Sequence, residues 1–247
     1  MRNVELINVF DPPYEIWTSR KASNEESMDH YQKHGFFSFN VKDKLIKTIT
    51  SARQAAEHLC LTAADSALEN FIDAALDDSD AYHYFRSLMP KLTPPALLDY
   101  QSRYPHYNQA AVERDINHYG LSLAEGQTLF HGGTWSEGAD VVVTTRPFST
   151  AFCPQIARRS AEWQGKAYDA GRVEITVLKV TSPQTKAYLY GPDGDHGHEK
   201  EVLFAPGAIL RVTSRTQICT TSAHKAGEHF SMLSKEVPVI LVEAQIS

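Results

Sequence analysis

VEITVLKV, from Val173 to Val180, decides the fold. Val173, Ile175 and Val177 alternate with Glu174 and Thr176, the period of a half-buried strand. Working outward, further β-branched runs surround it: a run opening at Thr128, Val141-Val142-Val143, Val202-Leu203-Phe204, and residues 209–212 and 237–242. One helix interrupts them at residues 154–164, with Ile156, Ala157, Ser160 and Ala161 on its small, apolar side. Upstream, over residues 43–119, the period becomes helical. Ala64, Leu68, Phe71, Ile72, Ala75 and Leu76 share one helix face, with Thr62 as N-cap and Asp65 in the first turn. Pro94 and Pro95 open a second helix through Leu97, Leu98 and Tyr100; a third runs over residues 108–119 and stops at Gly120. The reading is α+β: a helical N-terminal region, residues 1–120, packed on a sheet domain, residues 121–247.

Composition narrows the function classes. Of the 247 residues, 42% are hydrophobic and 22% charged, which excludes a disordered or low-complexity chain. The 30 acidic and 24 basic residues give a net charge of -6, so a nucleic acid or anionic membrane would need a local basic patch. Cys60, Cys153 and Cys219 are odd in number and far apart, the pattern of free thiols in a reducing compartment rather than of a disulfide framework or zinc ribbon. The first residues lack the apolar core of a secretory signal, and no apolar stretch is long enough to span a bilayer; the expectation is a cytoplasmic protein, of the producing or of a target cell.

Three stretches carry the chemistry: LFHGG (residues 129–133), RPFSTAF (146–152) and HEKEVLFAPG (198–207). Gly132 and Gly133 after His131 let a ligand approach the backbone. Ser149 and Thr150 offer hydroxyls at a strand-to-helix junction, where free N–H groups favour anions. Glu199 and Glu201 alternate by two at a strand start, where a flexible loop lets both reach one cleft.

In order and spacing these stretches resemble the ADP-ribosyltransferases. LFHGG is similar to that family's strand motif, Ser149-Thr150-Ala151 to its Ser-Thr-Ser motif, and Glu199-Lys200-Glu201 with its Leu-Phe-x-Pro-Gly continuation to its Glu-x-Glu motif. The resemblance covers residues 117–212, under half of the chain. It implies a split β-sheet catalytic domain that takes NAD as substrate, needs no metal and passes ADP-ribose to a macromolecular acceptor, protein or nucleic acid, with arginine as first guess. It implies further that Glu201 stabilises the oxocarbenium-like ribose, that Glu199 orients or deprotonates the acceptor, and that His131, Gly132, Ser149 and Thr150 hold NAD. The loop with Tyr190, His196 and His198 would select the acceptor. A toxin or effector role, with an antitoxin or immunity protein as partner, follows from family habit. Two departures stand out. His131 replaces the Arg usual beside Ser-Thr-Ser, so the pyrophosphate needs another cation: Arg146 foremost, with Arg158 and Arg159 behind it. Ala151 replaces the last Ser.

Two rival readings remain at this level. His196-x-His198 followed by Glu201 resembles the metal motif of cupin barrels, although the spacings are each one residue short. An inactive interaction module on the same scaffold is the other, against which Glu201 itself speaks.

Overall fold

In chain order the elements of the computed structural model, which describes residues 4–135, 139–191, 200–228 and 231–247, are β1 (Tyr14–Lys21), α1 (Asn24–His34), β2 (Asn40–Ile49), α2 (Ala52–Thr62), α3 (Ser66–Asp77), α4 (Asp80–Ser87), α5 (Pro95–Arg103), α6 (Gln109–Tyr119), β3 (Thr128–Gly132), β4 (Val141–Val143), β5 (Phe148–Ala151), α7 (Pro154–Glu162), α8 (Lys166–Ala170), β6 (Val173–Val180), β7 (Ala187–Leu189), β8 (Glu201–Phe204), β9 (Ile209–Ala226) and β10 (Met232–Ile246). The α+β class follows directly.

Residues 10–51 form a compact unit of their own. In it β1 and β2 pair antiparallel around α1, whose Ser23 and Glu26 make a reciprocal capping box and whose Gly35 ends the helix in the left-handed region. The first 120 residues are therefore not uniformly helical: a hairpin precedes the helices.

The larger unit, residues 4–9 and 52–247, holds an eight-stranded sheet in the order β4-β9-β10-β6-β3-β5-β8-β7. Among the described strands only β6 and β10 pair in parallel. Between β3 and β5 the ladder narrows to one pair, Phe130 opposite Ala151, so the sheet nearly parts there into five strands and three. Packing of α2 on β6, β9, β10 and α7 fastens the helices to the sheet.

Three local expectations are corrected. β6 is buried on both faces rather than half-buried. Its Glu174 is satisfied there by the Trp135 backbone N–H at 2.8 Å and Arg172 Nε at 2.9 Å, and Thr176 Oγ1 by the Trp135 indole at 2.8 Å. Thr62 is the last residue of α2, not the N-cap of the next helix; after Ala63 turns to φ 64°, Asp65 caps α3 through bonds from Ala67 N and Leu68 N. On α7 the buried side includes Gln155 and Arg158 with Ala157 and Ala161, whereas Ser160 is exposed.

Candidate functional site

A cleft of about 760 Å³ opens where the sheet nearly parts. Glu201, first residue of β8, is buried at its wall. Ser149 Oγ on β5 donates to Glu201 Oε1 at 2.5 Å, and Gln101 Nε2 on α5 donates to Oε2 at 3.0 Å. The register that sets Ser149 opposite Leu203 and Ala151 opposite Glu201 brings that hydroxyl and carboxylate together. Lys200 just before it has φ 44°, which interrupts the extended alternation at the strand start, and its Nζ pairs with Asp77 at 3.1 Å and Asp73 at 3.6 Å on α3. Thus Asp77, at the end of α3, helps to tether the start of β8. Burial raises the Asp73 carboxyl above its usual range, against the pull of Lys200.

His131 on β3 faces the same cleft, its ring 4.3 Å from that of Phe148. Its Nδ1 lies 2.8 Å from the Ser149 carbonyl, and since a carbonyl only accepts, Nδ1 carries the proton. Burial pushes the imidazole down to about 4, so it is neutral at physiological pH and Nε2 is left as an acceptor, suited to a ligand hydroxyl. The unfolded ring titrates near 6.5. Its neutral form is favoured by the fold, so this contribution to stability is complete above about pH 6.5 and is lost as pH falls towards about 4. Denaturant unfolding of wild type and His131→Gln between pH 7.5 and pH 4.5 should show wild type losing stability relative to the variant; a constant difference would contradict the assignment.

Gly132 lines the cleft, and packing requires it as well. A Cβ there would sit 1.6 Å from the Ala157 carbonyl oxygen, so glycine lets α7 lie directly on β3. Ser149 and Thr150 lie within β5, ahead of the helix junction: the Thr150 hydroxyl donates to the Val202 carbonyl at 2.7 Å and ties β5 to β8. At the N-terminal turn of α7, Cys153, Pro154 and Gln155 are buried and Gln155 Oε1 accepts from Asp65 N at 2.8 Å.

Among the arginines the structure discriminates. Arg158 is buried on the carbonyls of Leu59 and Cys60, and Arg159 makes a bidentate pair with Glu69. Arg146 lines the cleft, as does Lys166, a residue the sequence did not single out. Burial lowers the Lys166 ammonium below its usual value, and the Arg146 charge lowers it further. Among the described residues neither cation forms an ion pair, and both line the cleft that holds the Glu201 carboxylate.

Tyr190 is buried and donates its hydroxyl to the Leu97 carbonyl at 3.0 Å. Glu199, His196 and His198 lie outside the described residues. Among the described residues no three His, Cys, Asp or Glu side chains gather as a metal-binding group. Cys60 and Cys153 are buried free thiols, both pushed up to about 12 by burial, while Cys219 is half-buried. No described helix is long and apolar enough to cross a membrane.

No protein-family model and no curated protein matches the chain. Among solved structures it is similar to Vis, an ADP-ribosyltransferase of Vibrio splendidus in complex with agmatine, with 19% identity over 80% of this chain and 69% of that one and a TM-score of 0.35. The enzymatic component C2-I of the Clostridium botulinum C2 toxin matches with 7% identity over 67% of this chain and 45% of that one, at TM-score 0.37. Exoenzyme S of Pseudomonas aeruginosa, bound to human 14-3-3 protein beta and carba-NAD, matches with 14% identity over 78% and 88%, at TM-score 0.32.

Proposed function

We propose that this chain is a mono-ADP-ribosyltransferase that breaks the nicotinamide–ribose bond of NAD and passes ADP-ribose to a macromolecular acceptor. The observation that carries the reading is Glu201, its two oxygens held by Ser149 and Gln101 in a cleft that Arg146 and Lys166 also line. As nicotinamide leaves, positive charge develops on the ribose; a carboxylate already held in place and already desolvated stabilises it without reorganisation. Arg146 and Lys166 suit the pyrophosphate, one as a planar fork and the other as a point charge. The neutral His131 accepts a ribose hydroxyl through Nε2. Glu199 takes the proton of the acceptor, for which a protein arginine is the first choice and a nucleic acid the second. The toxin or effector role and its antitoxin partner belong to this reading and rest on the motif resemblance.

A metal-binding role is less favoured, because both oxygens of Glu201 already accept from N–H and O–H donors. Incubation with NAD labelled in its adenylate half and whole-cell lysate tests the proposal. Label is expected in acid-precipitable material, released by protease if the acceptor is protein and by nuclease if it is nucleic acid. No transfer and no nicotinamide release would dismiss it.

A further inference from the structure

Gln101 belongs to none of the sequence motifs and comes from a helix a hundred positions before Glu201. A carboxylate can only accept, so the amide must present its nitrogen to Glu201 and turn its oxygen away. The contact closes a circuit. The Glu201 backbone carbonyl accepts from Tyr190 N at 3.0 Å; the Tyr190 hydroxyl donates to the Leu97 carbonyl at 3.0 Å; Leu97 lies one turn before Gln101 on α5; and Gln101 returns to the Glu201 carboxylate. Buried Leu97 and Tyr100 fix that helix face against the wall of the cleft.

We propose that Gln101 is a positioning residue for Glu201, holding the second carboxylate oxygen while Ser149 holds the first, so that the group meets the ribose charged and in one orientation. This rests on the transferase reading of Glu201. Donors on both oxygens hold the carboxylate against rotation about its last bond, and a donor to the charged form also favours ionisation.

Tyr100 on α5 and Tyr190 after β7 feel the charge of Glu201, and His131 on β3, Arg146 and Lys166 line the same cleft. Burial first, and then the charge of Glu201, raises both phenols well above their usual range, so neither titrates in the assay range. Lys200 is committed to Asp73 and Asp77.

Gln101→Leu keeps the bulk and removes the donor. It is expected to lower kcat for nicotinamide release about tenfold or more while changing the Kd for NAD less than about threefold, and to move the acid limb of the kcat profile up by about one pH unit. In Gln101→Glu the introduced carboxyl can donate while protonated, so activity should recover at acid pH and fall away as that group ionises. A role confined to packing would move neither limb. Wild-type kcat and an unmoved acid limb in Gln101→Leu would overturn the proposal. A carbon-13 titration of the Glu201 carboxyl, assigned by its loss in Glu201→Gln, reads the same contact without turnover: its midpoint should rise in Gln101→Leu, and no rise overturns the proposal. Absence of nicotinamide release by wild type would instead count against the transferase reading. Should Gln101→Leu fail to fold, as judged by melting, the titration and pH profile of Gln101→Glu decide.

Discussion

Glu201→Gln is expected to slow nicotinamide release from NAD by about 100- to 1000-fold, the loss seen when one fixed electrostatic stabiliser of a transition state is removed. The substitution keeps volume and planarity but removes the charge that the developing oxocarbenium ion needs. The hydrogen bonds can survive: the new side chain accepts from Ser149 through its oxygen and donates through its N–H₂ to Gln101, whose amide flips to present its own oxygen, so that the charge alone is lost. The damage should be local. Glu201 begins β8 and its backbone stays paired with β5 and with Tyr190, so the melting temperature should move by a few degrees at most while kcat collapses. Chromatographic measurement of free nicotinamide, alongside calorimetric NAD binding, separates the outcomes. Retained binding with lost release is the expected pattern; equal release by wild type and variant would remove Glu201 from the reaction.

What was legible in the sequence follows the periodicity of burial. β8 was readable because Val202, Leu203 and Phe204 form an apolar run, and α6 because Asn108 caps it and Gly120 ends it. Gly120 does so without a left-handed turn: a Cβ would meet the Ile116 carbonyl oxygen at 2.5 Å. The hairpin of β1 and β2 escaped because β2 is mostly exposed, with Lys42, Lys44 and Lys47 among its residues, and two register shifts in the pair blur the two-residue period. β9 was read only at its start, residues 209–212, because the remainder is rich in Thr and Ser with a largely exposed face, and the register against β10 shifts twice. In the cleft, the motif residues Ser149 and Glu201 were visible since strand pairing brings short local patterns together. Gln101 and Lys166 carry no local pattern; helix packing alone delivers them, and no spacing in the chain announces it.

Removal of the Arg158 guanidinium is expected to cost about 3–5 kcal/mol of stability, although this residue looked, from its place beside the Ser149 motif, like a partner for phosphate. Its side chain is 1% exposed. Nη1 donates to the Leu59 carbonyl at 2.5 Å and the Cys60 carbonyl at 3.2 Å, while Nε meets Glu162 Oε1 at 3.1 Å. Both carbonyls belong to the last turn of α2, where a positive charge balances the negative end of the helix dipole; the Leu59 carbonyl also accepts from Ala63 N at 3.1 Å. Thr62 Oγ1 donates to the His58 carbonyl next to them at 2.9 Å, a further side-chain bond at the corner between α2 and α3. Arg158→Met separates the contributions: it keeps the stem packed between helix and sheet and leaves the two carbonyls without their cation. In a unit of this size that loss corresponds to a drop of about 10 °C in Tm. Arg158→Lys should recover a fraction of it, because a single ammonium cannot reach both carbonyls and Glu162 as the guanidinium fork does. Since Arg158 is turned away from the cleft onto α2, the NAD affinity of folded Arg158→Met should match wild type; a variant that melts like wild type but binds NAD more weakly would return this arginine to the phosphate site and take the assignment from Arg146 and Lys166.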